Sequence, residues 1–251
     1  MKTCILIKPP KGGFFICSKF FAIFDVIKEK VKNMTESEIQ FEKIMNLKNL
    51  KFCKIKETAH KTPDYLVELD NLKLIFEVKE LSNNDVQKNV LKNINLNGEY
   101  IPEENDGNLG TINIHSQSLE RALKNACKQI DSYRKTEHIC FVVIADNKDF
   151  FFKDYNLVND IKSLMIGEGN FGYNDKGELV ELYRKKTKFY REKTYISAVL
   201  VMSMETENLL FLHNENASKS ALIEPILSLF SHHEYIENCL SGKIWKKIRK
   251  F

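Results

Sequence analysis

From Tyr65 to Lys79 the side chains alternate around a turn, and that pattern leaves little freedom of fold. Tyr65 to Leu69 is apolar apart from Glu68, and Asp70-Asn71 is a turn pair. Leu72, Leu74, Phe76 and Val78 then alternate with Lys73, Ile75, Glu77 and Lys79. A period of two marks a strand, so the two runs predict a β-hairpin. Glu77 and Lys79 share one face of its second strand. The opposite face is apolar and needs a core. Pro63 cannot donate to a ladder and suits a strand start. Asp64 follows it, and pairing around Asp70-Asn71 brings Asp64 back close to Glu77.

Two carboxylates and an ammonium at the ends of paired strands suit a cation held against a phosphodiester. Mg²⁺ takes oxygen ligands, commonly one or two carboxylates, and fills the remaining positions with water and phosphate. Asp64 and Glu77 can supply those carboxylates. Water on such an ion loses its proton more easily and can attack phosphorus. Lys79 is spaced to neutralise charge developing on the phosphate.

Pro63-Asp64 followed by Glu77-Val78-Lys79 resembles the PD-(D/E)XK nuclease superfamily, the restriction-endonuclease-like fold. The resemblance implies an α/β chain, a three-layer core with a central mixed sheet flanked by helices. It implies Asp64 and Glu77 as Mg²⁺ ligands, with Mn²⁺ able to substitute, and Lys79 as the catalytic lysine. In many members a glutamate on the first helix also faces the metal. Glu42, in Phe41-Glu42, is the match and joins the expected catalytic set. Gln129-Ile-Asp-Ser-Tyr133 resembles the Q-x-x-x-Y element of the recombination-nuclease branch. That likeness implies that Gln129 and Tyr133 contact a DNA strand beside the metals.

The flanking elements agree with such a core. Thr35-x-x-Glu38 is a capping-box pattern opening a helix to Leu47, with Glu38 and Glu42 on one side of it. Leu119, Ala122, Leu123, Ala126, Ile130 and Tyr133 predict a helix over Ser118–Lys135. Gln129 and Tyr133 share a face of it. His138 to Ala145 reads as a strand buried on both faces. The polar segment from Leu81 to Thr111 is longer than a simple strand-to-helix link, with a short helix expected near Asn83–Asn93 and turns from Asn95 to Gly110. Tyr195 to Ser203 and Leu209 to His213 predict a strand pair that extends the sheet, followed by a helical pattern from Leu222 to Phe230. Gly167 to Gly177 reads as a glycine-rich connection without phosphate-loop spacing.

The 38 basic and 34 acidic residues leave a net charge of +4, too mild to establish nucleic-acid binding. Its placement says more. Lys243, Lys246, Lys247, Arg249 and Lys250 fall near the C-terminus without an acid among them, interleaved with Ile244, Trp245, Ile248 and Phe251. A short amphipathic helix there can lay charge on phosphates. These five residues join Gln129 and Tyr133 as expected nucleic-acid contacts. Residues 1–34 read as an N-terminal extension whose Phe20, Phe21, Ile23, Phe24, Ile27 and Val31 form one apolar helix face, for packing on the domain or on a second subunit. Residues 35–240 read as the nuclease-like domain and 241–251 as a basic tail.

No apolar run reaches the ~18 residues of a membrane span, and no secretory cleavage site is clear. The six cysteines show no CxxC and no Cys/His ligand spacing. Cys127 and Cys140 occupy apolar positions, as small buried groups in a reducing, cytoplasmic compartment do. His232-His233 has no partner motif for zinc and is expected on a surface or interface.

The leading expectation is thus a Mg²⁺-dependent nuclease, with DNA favoured over RNA. A nucleic-acid-binding or assembly protein that keeps the fold without cleaving is the alternative. Retention of Asp64, Glu77 and Lys79 together argues for chemistry. No Ser-His-Asp elbow, dinucleotide fingerprint or P-loop supports a different enzyme.

Overall fold

A computed structural model of the chain describes residues 34–57, 61–83, 85, 87–89, 92, 117–148, 156–185, 187–230, 232–239 and 242–247. The helix face expected over Phe20–Val31, the turns from Asn95 to Gly110, and Arg249 and Lys250 lie outside these residues.

The chain begins with α1 (Glu36–Leu47). Thr35 caps it: its Oγ1 accepts from Glu38 N at 3.2 Å, while Glu38 Oε2 accepts from Thr35 N at 2.8 Å. This is the reciprocal box read in the sequence. Thr35→Ala is expected to cost about 1 kcal/mol of stability, measured by urea denaturation, because the Glu38 N–H loses its acceptor.

β1 (Lys51–Lys54) runs antiparallel to β2 (Tyr65–Leu69). β2 forms the expected hairpin with β3 (Leu72–Leu81), with Asp70 turning at a φ of 51°. A short polar side chain tolerates that left-handed conformation better than a branched one. The crossover to β4 (Ile139–Asp146) includes α2 (Gln117–Tyr133), and β4 lies parallel to β3. β4 is buried at all eight positions, as its unbroken apolar run requires.

Beyond β4 come α3 (Leu157–Ile166), a separate hairpin of β5 (Glu168–Tyr173) and β6 (Leu179–Lys185), and α4 (Lys188–Glu192). β7 (Ile196–Met202) joins β4 in parallel, and β8 (Leu209–His213) returns antiparallel. After α5 (Glu224–Leu227), β9 (His232–Cys239) lies parallel to β8 and β10 (Gly242–Lys247) closes antiparallel to β9. The result is one mixed sheet in the order β1-β2-β3-β4-β7-β8-β9-β10.

The sheet separates two cores. On one side Phe41, Ile44 and Met45 of α1 pack on Phe76, Phe141 and Phe211. Phe76 stacks on Phe141 with ring centroids 4.8 Å apart. On the other, Leu123 and Ile130 of α2 and Ile161 and Met165 of α3 cover Ile75, Val142 and Val199. Helices therefore flank a large mixed sheet, the architecture expected at the level of α/β class. No described helix is long and apolar enough to cross a membrane.

The C-terminal region departs from expectation. The segment read as a basic helical tail contains a strand, and the sheet does not end at residue 240. Trp245 packs against the α3 side of the core, beneath the Lys162 ammonium at 5.5 Å from its ring. Period-2 burial of that indole outweighs the helical spacing of the lysines. Gly167–Gly177 is likewise a hairpin and not a plain connection: Gly167 ends α3 at a φ of 81°, and Gly177 turns at 73°. The pattern from Leu222 to Phe230 yields only the single turn of α5, with Pro225 in its first turn. Of the histidine pair expected at a surface or interface, His232 is exposed, and His233 is buried in β9 with Nε2 2.5 Å from the Phe230 carbonyl. Cys127 and Cys140 are buried free thiols, as their apolar positions suggested.

Candidate active site

The β2–β3 register decides which side chains meet. Tyr65 pairs with Phe76, and Asp64 N donates to Phe76 O at 3.1 Å, so Asp64 stands beside Glu77. Asp64 Oδ2 accepts from Val78 N at 2.7 Å, which fixes the carboxyl against β3. Lys79, two residues after Glu77 on the same face, brings its ammonium onto Glu77 Oε1 as an ion pair. Asp64, Glu77 and Lys79 therefore converge.

Glu77 is fully buried. Apart from that ion pair, neither of its oxygens receives an aligned hydrogen bond from a described residue. Burial is the main reason its pKa is pushed up to about 8, the neighbouring Asp64 carboxyl adds to the rise, and Lys79 opposes it. Asp64 is also raised, first by burial, while the Val78 N–H and the Lys79 charge hold it back. Two carboxyls that repel in a dry place cannot both ionise without a compensating cation.

α2 completes one wall. Gln129 Oε1 accepts from Lys79 Nζ at 2.8 Å, and Gln129 Nε2 donates to Thr62 O at 3.1 Å. One amide thus ties the lysine to the segment leading into Asp64. Ser132 Oγ adds a second tie, donating to Lys61 O at 2.9 Å. Tyr133 lies half-buried one turn further on, its ring stacked on His138 at 6.3 Å. Gln129 is brought to the site, and Tyr133 makes no described contact with the three core residues.

The two glutamates of α1 are placed differently. Glu42 is held by a long contact, 3.4 Å from the Tyr65 hydroxyl, and borders a depression of about 500 Å³ on the outer side of α1 with Met34, Ile39 and Leu47. Glu38, one turn earlier, is the buried glutamate whose charge bears on Asp64. It is ion-paired with Lys54 of β1 at 2.5 Å, and Lys54 in turn favours ionised Asp64. In the sequence Glu38 was accounted for by its capping role, and the four residues of β1 gave no periodicity from which to place Lys54. The signal that could have found Glu38 was its position one turn before Glu42 on the same face.

The expected basic contacts fare differently again. Lys243 is ion-paired with Glu215 at 2.5 Å and Lys246 with Glu237, while Lys247 is exposed in β10. β10 lies at the sheet edge opposite β1, well separated in strand order from Asp64 and Glu77. Lys243 and Lys246 spend their charge within the fold.

Among the described residues no group of three or more His, Cys, Asp or Glu side chains gathers to hold a metal ion. A hard divalent cation needs only one or two protein carboxylates, and the donor set Asp64 and Glu77 suits one. The buried Glu77 oxygens, lacking aligned donors, are the groups such an ion would satisfy. Comparison of the chain with protein-family models, with curated proteins and with solved structures finds no match.

Proposed function

We propose that this chain is a Mg²⁺-dependent nuclease of the PD-(D/E)XK type, with a restriction-endonuclease-like core, hydrolysing phosphodiester bonds in DNA. One observation carries the reading: a fully buried Glu77 carboxyl set beside Asp64, touched by Lys79 and lacking any aligned hydrogen bond from a described residue. A buried acid crowded by a second carboxyl is costly, and a group so perturbed is a candidate for a functional site. Asp64 and Glu77 would hold the ion, and Mn²⁺ could replace it. When bound, Mg²⁺ supplies a Lewis acid for the phosphoryl oxygen and a more acidic water.

The chain's own groups do the rest. The Val78 N–H holds one Asp64 oxygen and so fixes the carboxyl beside Glu77. Gln129 keeps Lys79 from swinging freely by bonding its ammonium while anchored on Thr62 O. Lys79 stands where negative charge grows on the phosphate as the attacking oxygen approaches, and favours that state electrostatically. Partial enclosure strengthens each of these interactions by excluding water.

The test is cleavage of DNA and of RNA by the purified chain with Mg²⁺ or Mn²⁺, beside a chelator control. Cleavage of DNA that stops on chelation is expected; failure to cut either polymer with either ion sinks the proposal. Lys79→Ala is expected to lower kcat by on the order of 10² to 10³, the loss seen when one charge-stabilising donor is removed. Because Lys79 also holds the Glu77 pKa down, the rising limb of the pH–rate profile should move to higher pH in that variant. An unshifted profile would deny Lys79 its place beside Glu77.

A further inference from the structure

Some exposed lysines are matched to carboxylates, Lys51 to Glu68 and Lys246 to Glu237. Four close to the site in the chain are not. Lys56 and Lys61 are exposed on the segment that leads into Asp64, and Lys124 and Lys128 are exposed on α2. None of these four ammonium groups makes a hydrogen bond or ion pair with a described residue.

Their positions are tied together by the same contacts that build the site. Gln129, next to Lys128, reaches both Lys79 and the Thr62 carbonyl. Ser132 holds the Lys61 carbonyl, and Thr62 Oγ1 donates to Lys56 O at 3.4 Å. Lys124 and Lys128 lie four apart, on one face of α2, about 6 Å along its axis. Of the acids near that face, Asp131 is engaged by Arg134 at 2.9 Å, and Glu120, exposed one turn before Lys124, forms no ion pair with a described residue. A segment and a helix, joined through Gln129 and Ser132, thus expose unpaired cations next to the elements that carry the site.

We propose that Lys56, Lys61, Lys124 and Lys128 form the docking surface for the phosphate backbone of a DNA duplex, which they lead to Asp64 and Glu77. This deepens the nuclease reading and rests on it for the direction of the strand, though the surface itself needs no chemistry. The partner is a duplex because this part of α2 offers charge without stacking platforms. Its one aromatic residue, Tyr133, is half-buried and already stacked on His138. Surfaces for single strands combine cations with aromatic rings that receive the bases. Contacts of this kind position a duplex and do not read its sequence.

The test is fluorescence anisotropy of a labelled DNA duplex, without divalent ions, on the full chain over a range of salt. The quadruple variant Lys56→Ala, Lys61→Ala, Lys124→Ala, Lys128→Ala is set beside a control with the same charge change, Lys176→Ala, Lys185→Ala, Arg191→Ala, Lys219→Ala. The control residues are exposed on the β5–β6 hairpin, on α4 and on the segment after β8. The first variant is expected to bind at least tenfold more weakly and to lose about 3 to 4 from the log–log salt slope. The control should keep most of both. An equal loss in the control, or no loss in the first variant, overturns the surface. Tighter binding of the single strand than of the duplex overturns the duplex. Binding that follows this pattern in a chain that cleaves nothing would leave the surface standing and remove the nuclease reading. Cleavage with an unchanged salt slope would do the reverse.

Discussion

Asp64→Asn is expected to reduce metal-dependent DNA cleavage to background while leaving the chain folded. The amide keeps an oxygen for the Val78 N–H, which Asp64 Oδ2 now satisfies at 2.7 Å. What it removes is the charge. With Asn in place, only Glu77 remains to neutralise a divalent ion, and Mg²⁺ is a cation that sheds water reluctantly and for charged oxygen. Asp64→Ala is a poorer probe, because it also strands a buried backbone donor, at a cost of about 1 to 3 kcal/mol. The measurement is a cleavage time course with Mg²⁺ and with Mn²⁺, beside circular dichroism and a denaturation curve. Equal cleavage by wild type and Asp64→Asn would mean that the activity comes from a contaminant or from another site.

The second large effect concerns Glu77 and is read without any substrate. Its folded pKa of about 8 lies above its ordinary value of 4.5. Between those values the folded chain holds a proton that the unfolded chain has released. Stability in a chelator should therefore be fully present below pH 4.5, fall as pH rises, and level off once pH passes about 8. Asp64 is shifted in the same direction and adds to the fall. At about 1.4 kcal/mol per unit, the decline is a few kcal/mol. Glu77→Gln removes the titrating group and keeps its shape. It should be more stable than wild type above pH 8 and should lose most of the slope, as well as the cleavage activity. Mg²⁺ binds the ionised form, so in wild type it should restore stability at high pH by mass action and should do little for the Gln variant. The readout is chemical denaturation over a pH series with and without Mg²⁺. A wild-type stability that stays flat or rises through this window would show that Glu77 is not buried as a neutral acid.

Both predictions depend on residues that were legible before any coordinates. Asp64, Glu77 and Lys79 are brought together by a hairpin whose turn, Asp70-Asn71, and whose period of two are written locally. Register follows from those two facts, since a slip of one residue would turn Phe76 and Val78 out of the core. The capping box at Thr35 and Glu38, the helix carrying Gln129 and the buried strand β4 are equally local. Each is a statement about spacing along the chain, and spacing is what a sequence displays.

What the sequence could not decide was set by distant contacts. Glu38 and Glu42 lie one turn apart on one side of α1, and only its packing on the sheet pairs Glu38 with Lys54 and lets its charge bear on Asp64. The lysines of β10 looked free, yet Lys243 and Lys246 find Glu215 and Glu237, which arrive through the fold. Trp245 chose a strand over a helix because the sheet and α3 offered a place to bury it. The acidity of Glu77 belongs to the same group. A carboxyl's pKa depends on how much water surrounds it and which charges face it, and neither quantity exists until α2 closes over β3. Periodicity along the chain determined which face each site residue occupies; desolvation and long-range charge, present only in the packed molecule, decided which of those residues carry charge to spare.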